Sequence, residues 1–167
     1  MSGMDELAQS QLLVAQAMSG LADDMTGFGG GQLPGTTTND AATAGNVGEY
    51  LENTGGVILV VPNTPTDLAQ LDLTAGDWAV SSTLYFNTSD NGEVQAGITT
   101  TSATLVLTRP NYAIFPINST FNGNYSVTIG PLRRSLDATT TYYLVGNTVG
   151  LVGLLSSQGF LRAWRVR

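Results

Sequence analysis

The 167-residue sequence contains no histidine, no cysteine and no lysine. Without histidine or cysteine, Ser-His-Asp and Cys-His nucleophile systems cannot be built, nor can zinc sites of the usual ligand set. Without lysine there is no P-loop lysine, no Schiff base and no Ser-Lys dyad. The lack of cysteine leaves no redox imprint, so secretion is neither supported nor opposed. Charge is scarce as well. Thirteen acidic residues and six arginines make up 11% of the chain, less than half the roughly 25% usual in soluble domains. A net charge of −7 argues against a nucleic-acid partner, which needs a basic face. The longest apolar region, YYLVGNTVGLVGLL over 142–155, is too short and interrupted to cross a bilayer, so no membrane insertion is expected. Asp5 and Glu6 stand where a signal peptide would carry positive charge, and none is expected. No catalytic residue, cofactor or metal ligand is expected from this composition, and no enzyme.

What is present is patterned, in three segments. In residues 1–26, Met4, Leu7, Gln11, Val14, Met18, Leu21 and Met25 recur at alternating spacings of three and four. That is a heptad seam broken only by Gln11, and it predicts a helix. Ser2 is placed to cap it, Asp5 and Glu6 suit its dipole, and Gly27 ends it. An amphipathic helix folded onto its own domain would show a similar pattern. The narrow seam and the glycine-rich stretch behind it favour a trimerisation or docking helix. Residues 27–56, opening GFGGGQLPGTTTND, have no period and read as an extended Gly/Thr/Asn-rich linker.

From residue 57 the period becomes two. GVILVVP, DLAQLDLT, GDWAVSSTLYF, EVQAGITT, YAIFPIN, NYSVTIGP, TTYYLVGN and GFLRAWRVR are short runs between turn signals. About eight such strands with no helical pattern predict a mainly-β head over 57–167, an antiparallel sandwich or jelly roll. Trp78, Val80, Leu84 and Phe86 share one face of their run, and with Tyr142, Leu144, Phe160 and Trp164 they form the predicted core.

Candidate sites are few, and each has a structural explanation. Asp77 follows Gly76 at a turn and precedes a core tryptophan, so a corner explains it; a lone carboxylate lacks the partner that glycoside hydrolysis needs. NTSDNGEV (87–94) resembles a calcium loop, but Asn91-Gly92 between two strands is a hairpin signal. Arg133 and Arg134 suggest an anion site, or a solvated face with one arginine paired to Asp137. NTS, NST and NYS match glycosylation acceptors, a frequent coincidence in a chain rich in Asn, Ser and Thr. Tyr85, Tyr112 and Tyr125 are candidate glycan contacts, since sugars stack on aromatic rings; a core or interface role is the alternative.

The blocks LTAGDWAVSSTLYF, AGITTTSATL, GPLRRSLDATTTYYLV and GFLRAWRVR, led in by NDAATAGNVGEYLENT, span Asn39 to Arg167. In their spacing the chain resembles small tail-fibre-like proteins of bacteriophages and prophages. That family's strand continues Asp-Val after AGDW, whereas here Ala79-Val80 follows, so a role for an acid at that position is lost. The block order is also similar in architecture to trimeric heads of the TNF and C1q type. The resemblance, together with the seam, implies a homotrimeric short fibre or spike of a virion. Its partners would be itself, other capsid or tail proteins and a host-surface glycan. A capsid decoration or cement protein and a non-catalytic glycan-binding adhesin head are the alternatives. A depolymerase would have to rest on carboxylates such as Asp72 and Asp77.

Overall fold

The computed structural model describes residues 12–16, 18, 44–88, 91–118, 123–150 and 155–166. The chain divides into two compact units, Met1–Asp40 and Ala41–Arg167. In the first, residues 12–16 and 18 are helical, and Val14 and Met18 are exposed. Met4, Leu7, Gln11, Leu21 and Met25 of the predicted seam lie outside the described residues, and so does most of the predicted linker.

The described residues of the second unit form nine strands: β1 (Tyr50–Thr54), β2 (Ile58–Val60), β3 (Thr66–Leu73), β4 (Gly76–Thr88), β5 (Gly92–Thr99), β6 (Tyr112–Ile117), β7 (Gly123–Leu136), β8 (Thr140–Val149) and β9 (Leu155–Arg165). They form two antiparallel sheets. In the larger, β1 and β2 both pair with β9, which is followed by β4 and β7. The smaller runs β3-β8-β5-β6. With β1 and β2 counted as one interrupted strand, this is the eight-strand order of a jelly roll, in which successive strands alternate between sheets except for the β5–β6 pair.

Two sequence expectations change here. Tyr50–Thr54, read as linker, is a strand paired with β9 from Tyr50↔Trp164 to Thr54↔Phe160; its residues YLENT lack the β-branched run that announces the other strands. Asn91-Gly92 does not close a hairpin. The strands on either side of it, β4 and β5, belong to different sheets, so the turn carries the chain across the sandwich. Local turn chemistry is the same in both cases, and only the strand partners differ.

The core lies between the inner faces. Trp78, Val80, Leu84 and Phe86 of β4 are buried there, facing Leu73, Val94, Ala96, Ile98 and Leu144 of the smaller sheet. Tyr142 is buried too. Phe160 and Trp164, expected in the core, are not. The buried residues of β9 are Ser157, Gly159, Leu161, Ala163 and Arg165, while Phe160 and Trp164 point to the opposite face and are half-buried. Alternation sorts a strand's residues into two sets without saying which set is inside. Here Leu161 and Ala163 fill the core, and Arg165 is held inside by partners described below.

Two glycines let the layers close. In β7 the register with β4 slips between Val80 and Ser82, where Gly130 sits at φ +96° and a Cβ would lie 2.6 Å from the Val80 carbonyl oxygen. That is a glycine bulge, which bends a long edge strand. Gly55, between β1 and β2, has Leu68 pressed on it: a Cβ would fall 1.7 Å from the Leu68 carbonyl oxygen. Gly55→Ala is therefore expected to cost roughly 1–3 kcal/mol through forced backbone displacement, read as a lower urea midpoint. Unchanged stability would show that the β1–β2 junction is free to move off β3.

Candidate functional site

The outward face of the larger sheet gathers the groups most suited to recognition. Because β9 is central, its outward residues Ser156, Gln158, Phe160, Arg162 and Trp164 form a spine with cross-strand neighbours on both sides. Trp164 lies between Tyr50 and Ala79, Arg162 between Glu52 and Ser81, and Gln158 beside Tyr85. Tyr85 and Phe160 meet edge to face, with centroids 5.2 Å apart, and the Arg162 guanidinium carbon sits 5.9 Å from the Phe160 ring centre. Arg162 also pairs with Glu52 at 3.0 Å. Both side chains are exposed, so the pair orients more than it stabilises. The Tyr50 hydroxyl donates to Glu52 at 2.6 Å; burial and this carboxylate together push the phenol pKa up, so it stays a donor.

Along β2 the face continues in aliphatic residues: Val57, Leu59 and Val61 are 66%, 59% and 50% exposed. Scattered apolar residues need no explanation, but Val57, Leu59 and Val61 on successive outward positions, with Tyr85 beside Val57, mark a surface built to be covered. Where Tyr85 approaches Val57 there is a groove of about 220 Å³, bordered also by Asn87, Asn124, Ser156 and Gln158. Asn87 donates to Asn124 at 2.8 Å and Gln158 to the Gly55 carbonyl at 3.1 Å. Ser157, whose buried hydroxyl has no partner among the described residues, borders the same groove.

At the opposite end of β4, Asp77 accepts from the Arg133 guanidinium at 2.9 Å and from the Ser135 hydroxyl. Arg133 thus takes Asp77 rather than Asp137, because Asp77↔Ser135 and Ala79↔Arg133 are cross-strand neighbours. Asp72 accepts from the Thr141 hydroxyl in the smaller sheet, so Asp72 and Asp77 are engaged by different partners on different sheets.

Beneath this end is a buried ion pair. Arg165 Nε donates to Glu49 Oε2 at 2.9 Å, and both side chains are almost fully buried. The same guanidinium donates to the Ala75 carbonyl at 2.8 Å and to the Thr74 hydroxyl at 2.5 Å, and its carbon lies 4.4 Å from the Trp78 ring centre. Trp78 Nε1 donates to the Thr74 carbonyl at 2.9 Å. The Gly45 N–H donates to the same Glu49 Oε2 at 2.8 Å. Burial alone would raise the Glu49 pKa; the Gly45 N–H and the Arg165 guanidinium outweigh it and hold the carboxyl below its ordinary value. One arginine therefore ties the segment before β1, the β3–β4 turn and the end of β9 together. Sequence reasoning missed both Glu49 and Arg165. The available signal was that Arg165 shares the alternation set of Leu161 and Ala163.

The three tyrosines proposed as glycan contacts do not meet. Tyr85 is exposed on the outer face of the larger sheet. Tyr125 points inward, tilted against Phe86 and Phe115 at 5.7 and 5.6 Å. Tyr112, paired with Gly97, belongs to the outer face of the smaller sheet.

No protein-family model matches this chain. No curated protein matches it in sequence. Among solved structures, it is similar to a chain of the T13 IBDV viral particle, with 17% identity and a TM-score of 0.48 over 78% of this chain and 34% of that one. It is also similar to a chain of the infectious bursal disease virus Gt strain, with 18% identity and a TM-score of 0.42 over 79% and 37%. A third likeness is to disulfide-linked pili of Bacillus endospore appendages, with 10% identity and a TM-score of 0.34 over 79% of this chain and all of that one. The chain spans about a third of the length of the viral chains. Its sandwich architecture rests on its own strand order and register.

Proposed function

We propose that this chain is a non-catalytic structural protein of a virus particle. In this reading it is the homotrimeric short fibre or spike of a phage, anchored through its leading segment and presenting its β-head outward. The observation that carries the reading is the exposed apolar group of Val57, Leu59, Val61 and Tyr85 on the outer face of the larger sheet. A lone domain with so little charge has few other means of keeping such a face from associating. Packing copies about a common axis would cover it. The heptad spacing before the head and the resemblance of Asn39–Arg167 to phage tail-fibre-like blocks support the same assembly. A jelly roll is also a common building block of capsids, an analogy of fold alone.

Light scattering on the full chain tests the reading. A mass of three chains at micromolar concentration is the expected result, and a single-chain mass overturns it. Leu59→Asp places a charge in this apolar group and is expected to weaken association at least tenfold, since an unpaired charge in an apolar interface costs several kcal/mol. Wild-type association in that variant would move the interface elsewhere.

The groove beside Tyr85 favours a second reading, a glycan-binding adhesin head. An aromatic wall with amide and hydroxyl groups around it suits a sugar ring. Tyr85→Ala would then abolish retention on host polysaccharide while leaving oligomer mass unchanged.

A further inference from the structure

A second cavity, of about 200 Å³, lies at the far end of the core, bordered by Thr99, Thr100, Val106, Asn111, Arg134 and Tyr142. It is built from four elements: the end of β5, the loop of residues 100–111, β7 and β8. The loop is held in place locally, since Ile98 N donates to the Asn111 carbonyl at 2.8 Å and Asn111 N to the Thr108 carbonyl at 3.0 Å. Arg134 enters half-buried from β7. Its Nη1 donates to the Arg133 carbonyl at 3.0 Å and its Nη2 to Asn111 Oδ1 at 2.5 Å.

Both of those acceptors are neutral. Arg133, Arg162 and Arg165 each pair with a carboxylate, whereas Arg134 makes no ion pair among the described residues. A third N–H is shared with the Tyr142 hydroxyl, also neutral, so at most three of its five N–H donors are engaged and others are left for a ligand. Tyr142 is buried with its hydroxyl beside Arg134; burial pushes its pKa up, so it remains a neutral O–H. The charged guanidinium, ringed by hydroxyls and an amide, is a local positive centre that can receive an anion even in a chain of net charge −7.

We infer that this cavity binds the carboxylate of a small acidic sugar, such as a uronic acid. The planar fork of Arg134 matches a carboxylate. The hydroxyls of Tyr142 and Thr100 and the free amide N–H of Asn111 suit ring hydroxyls, and Ile98 and Val106 supply an apolar wall for the C–H face. A phosphate dianion fits less well, because the adjacent Arg133 is already neutralised by Asp77. The volume is below the 300 Å³ or more typical of drug-sized ligands and so suits one sugar ring. The site lies away from the Tyr85 groove and does not depend on the head's oligomeric state.

The test is an amide-resolved NMR titration of the full chain with sodium glucuronate, methyl glucoside and sodium phosphate. Saturating shifts at Thr99, Thr100, Asn111 and Arg134 are expected with glucuronate alone. Arg134→Gln should weaken glucuronate binding at least tenfold. Because Arg134 also tethers Asn111, Thr100→Val serves as a second variant; it leaves the tether intact and should weaken binding severalfold. Absence of saturating shifts, equal binding of methyl glucoside or phosphate, or unchanged affinity in both variants would overturn the assignment. None of these outcomes alters the light-scattering result, so the trimer reading stands or falls separately.

Discussion

Arg165→Ala is expected to lower the stability of the head by about 3–5 kcal/mol, the usual cost of stranding one partner of a buried ion pair. Glu49 would be left charged and almost fully buried, and the Thr74 hydroxyl and Ala75 carbonyl would lose their donor. The comparison that makes the test specific is the double variant Glu49→Leu/Arg165→Met. Replacing both charges with apolar groups removes the uncompensated charge and should recover most of the loss. If the double variant is no better than Arg165→Ala, the arginine acts through its Thr74 and Ala75 bonds rather than through the ion pair. The pair also sets a pH dependence. Glu49 has a folded pKa below its ordinary value of 4.5, so folding favours its ionised form. The stability it contributes is present above that ordinary value and is lost as pH falls through the lowered one. Urea midpoints should therefore drop below about pH 4.5 in the wild type, and the drop should be shallower in Glu49→Gln.

Trp78→Ala carries the other large expected effect, roughly 3–5 kcal/mol from the cavity and the lost transfer energy. Trp78 is fully buried, sits where the two layers meet, and donates to the Thr74 carbonyl. Its ring is also the surface on which Arg165 rests, at 4.4 Å. The two effects should not add: with shared partners, the double variant Trp78→Ala/Arg165→Ala should be less destabilised than the sum by about 1 kcal/mol or more. Strict additivity would mean that the stacked geometry contributes nothing. A near-neutral Trp78→Ala would reopen a binding role for the GDW corner.

How much of this could be read from the sequence depends on distance along the chain. On β4 the alternation of Trp78, Val80, Ser82, Leu84 and Phe86 reads correctly because turn and strand are contiguous and the large residues all fall on one side. On β9 the same alternation points the wrong face inward. Phe160 and Trp164 are bulkier than Leu161 and Ala163, so size alone points the wrong way. What decides the matter is Glu49, 116 residues earlier, which gives Arg165 a reason to be inside. Of the two roles the sequence leaves open for Tyr125, glycan contact or core, the contacts with Phe86 and Phe115 support the core one. Asn91-Gly92 was legible as a turn but not as a crossing between sheets, because strand partnership is a long-range property. The carboxylate cavity has the same character: the Arg133-Arg134 pair suggests an anion site, yet Thr100, Asn111 and Tyr142 converge on Arg134 only through the fold.

The segment before β1 and the end of β9 lie side by side, joined by Gly48 N to the Arg165 carbonyl and Arg165 N to the Glu49 carbonyl at 3.0 and 2.9 Å. This arrangement has a mechanical meaning. A force drawing residues 48 and 166 apart would peel these strands open rung by rung, as a zipper does, instead of shearing all their bonds at once. Glu49 and Arg165 stand at the first rung, so their pair would set the threshold at which tension from a tether begins to open the head.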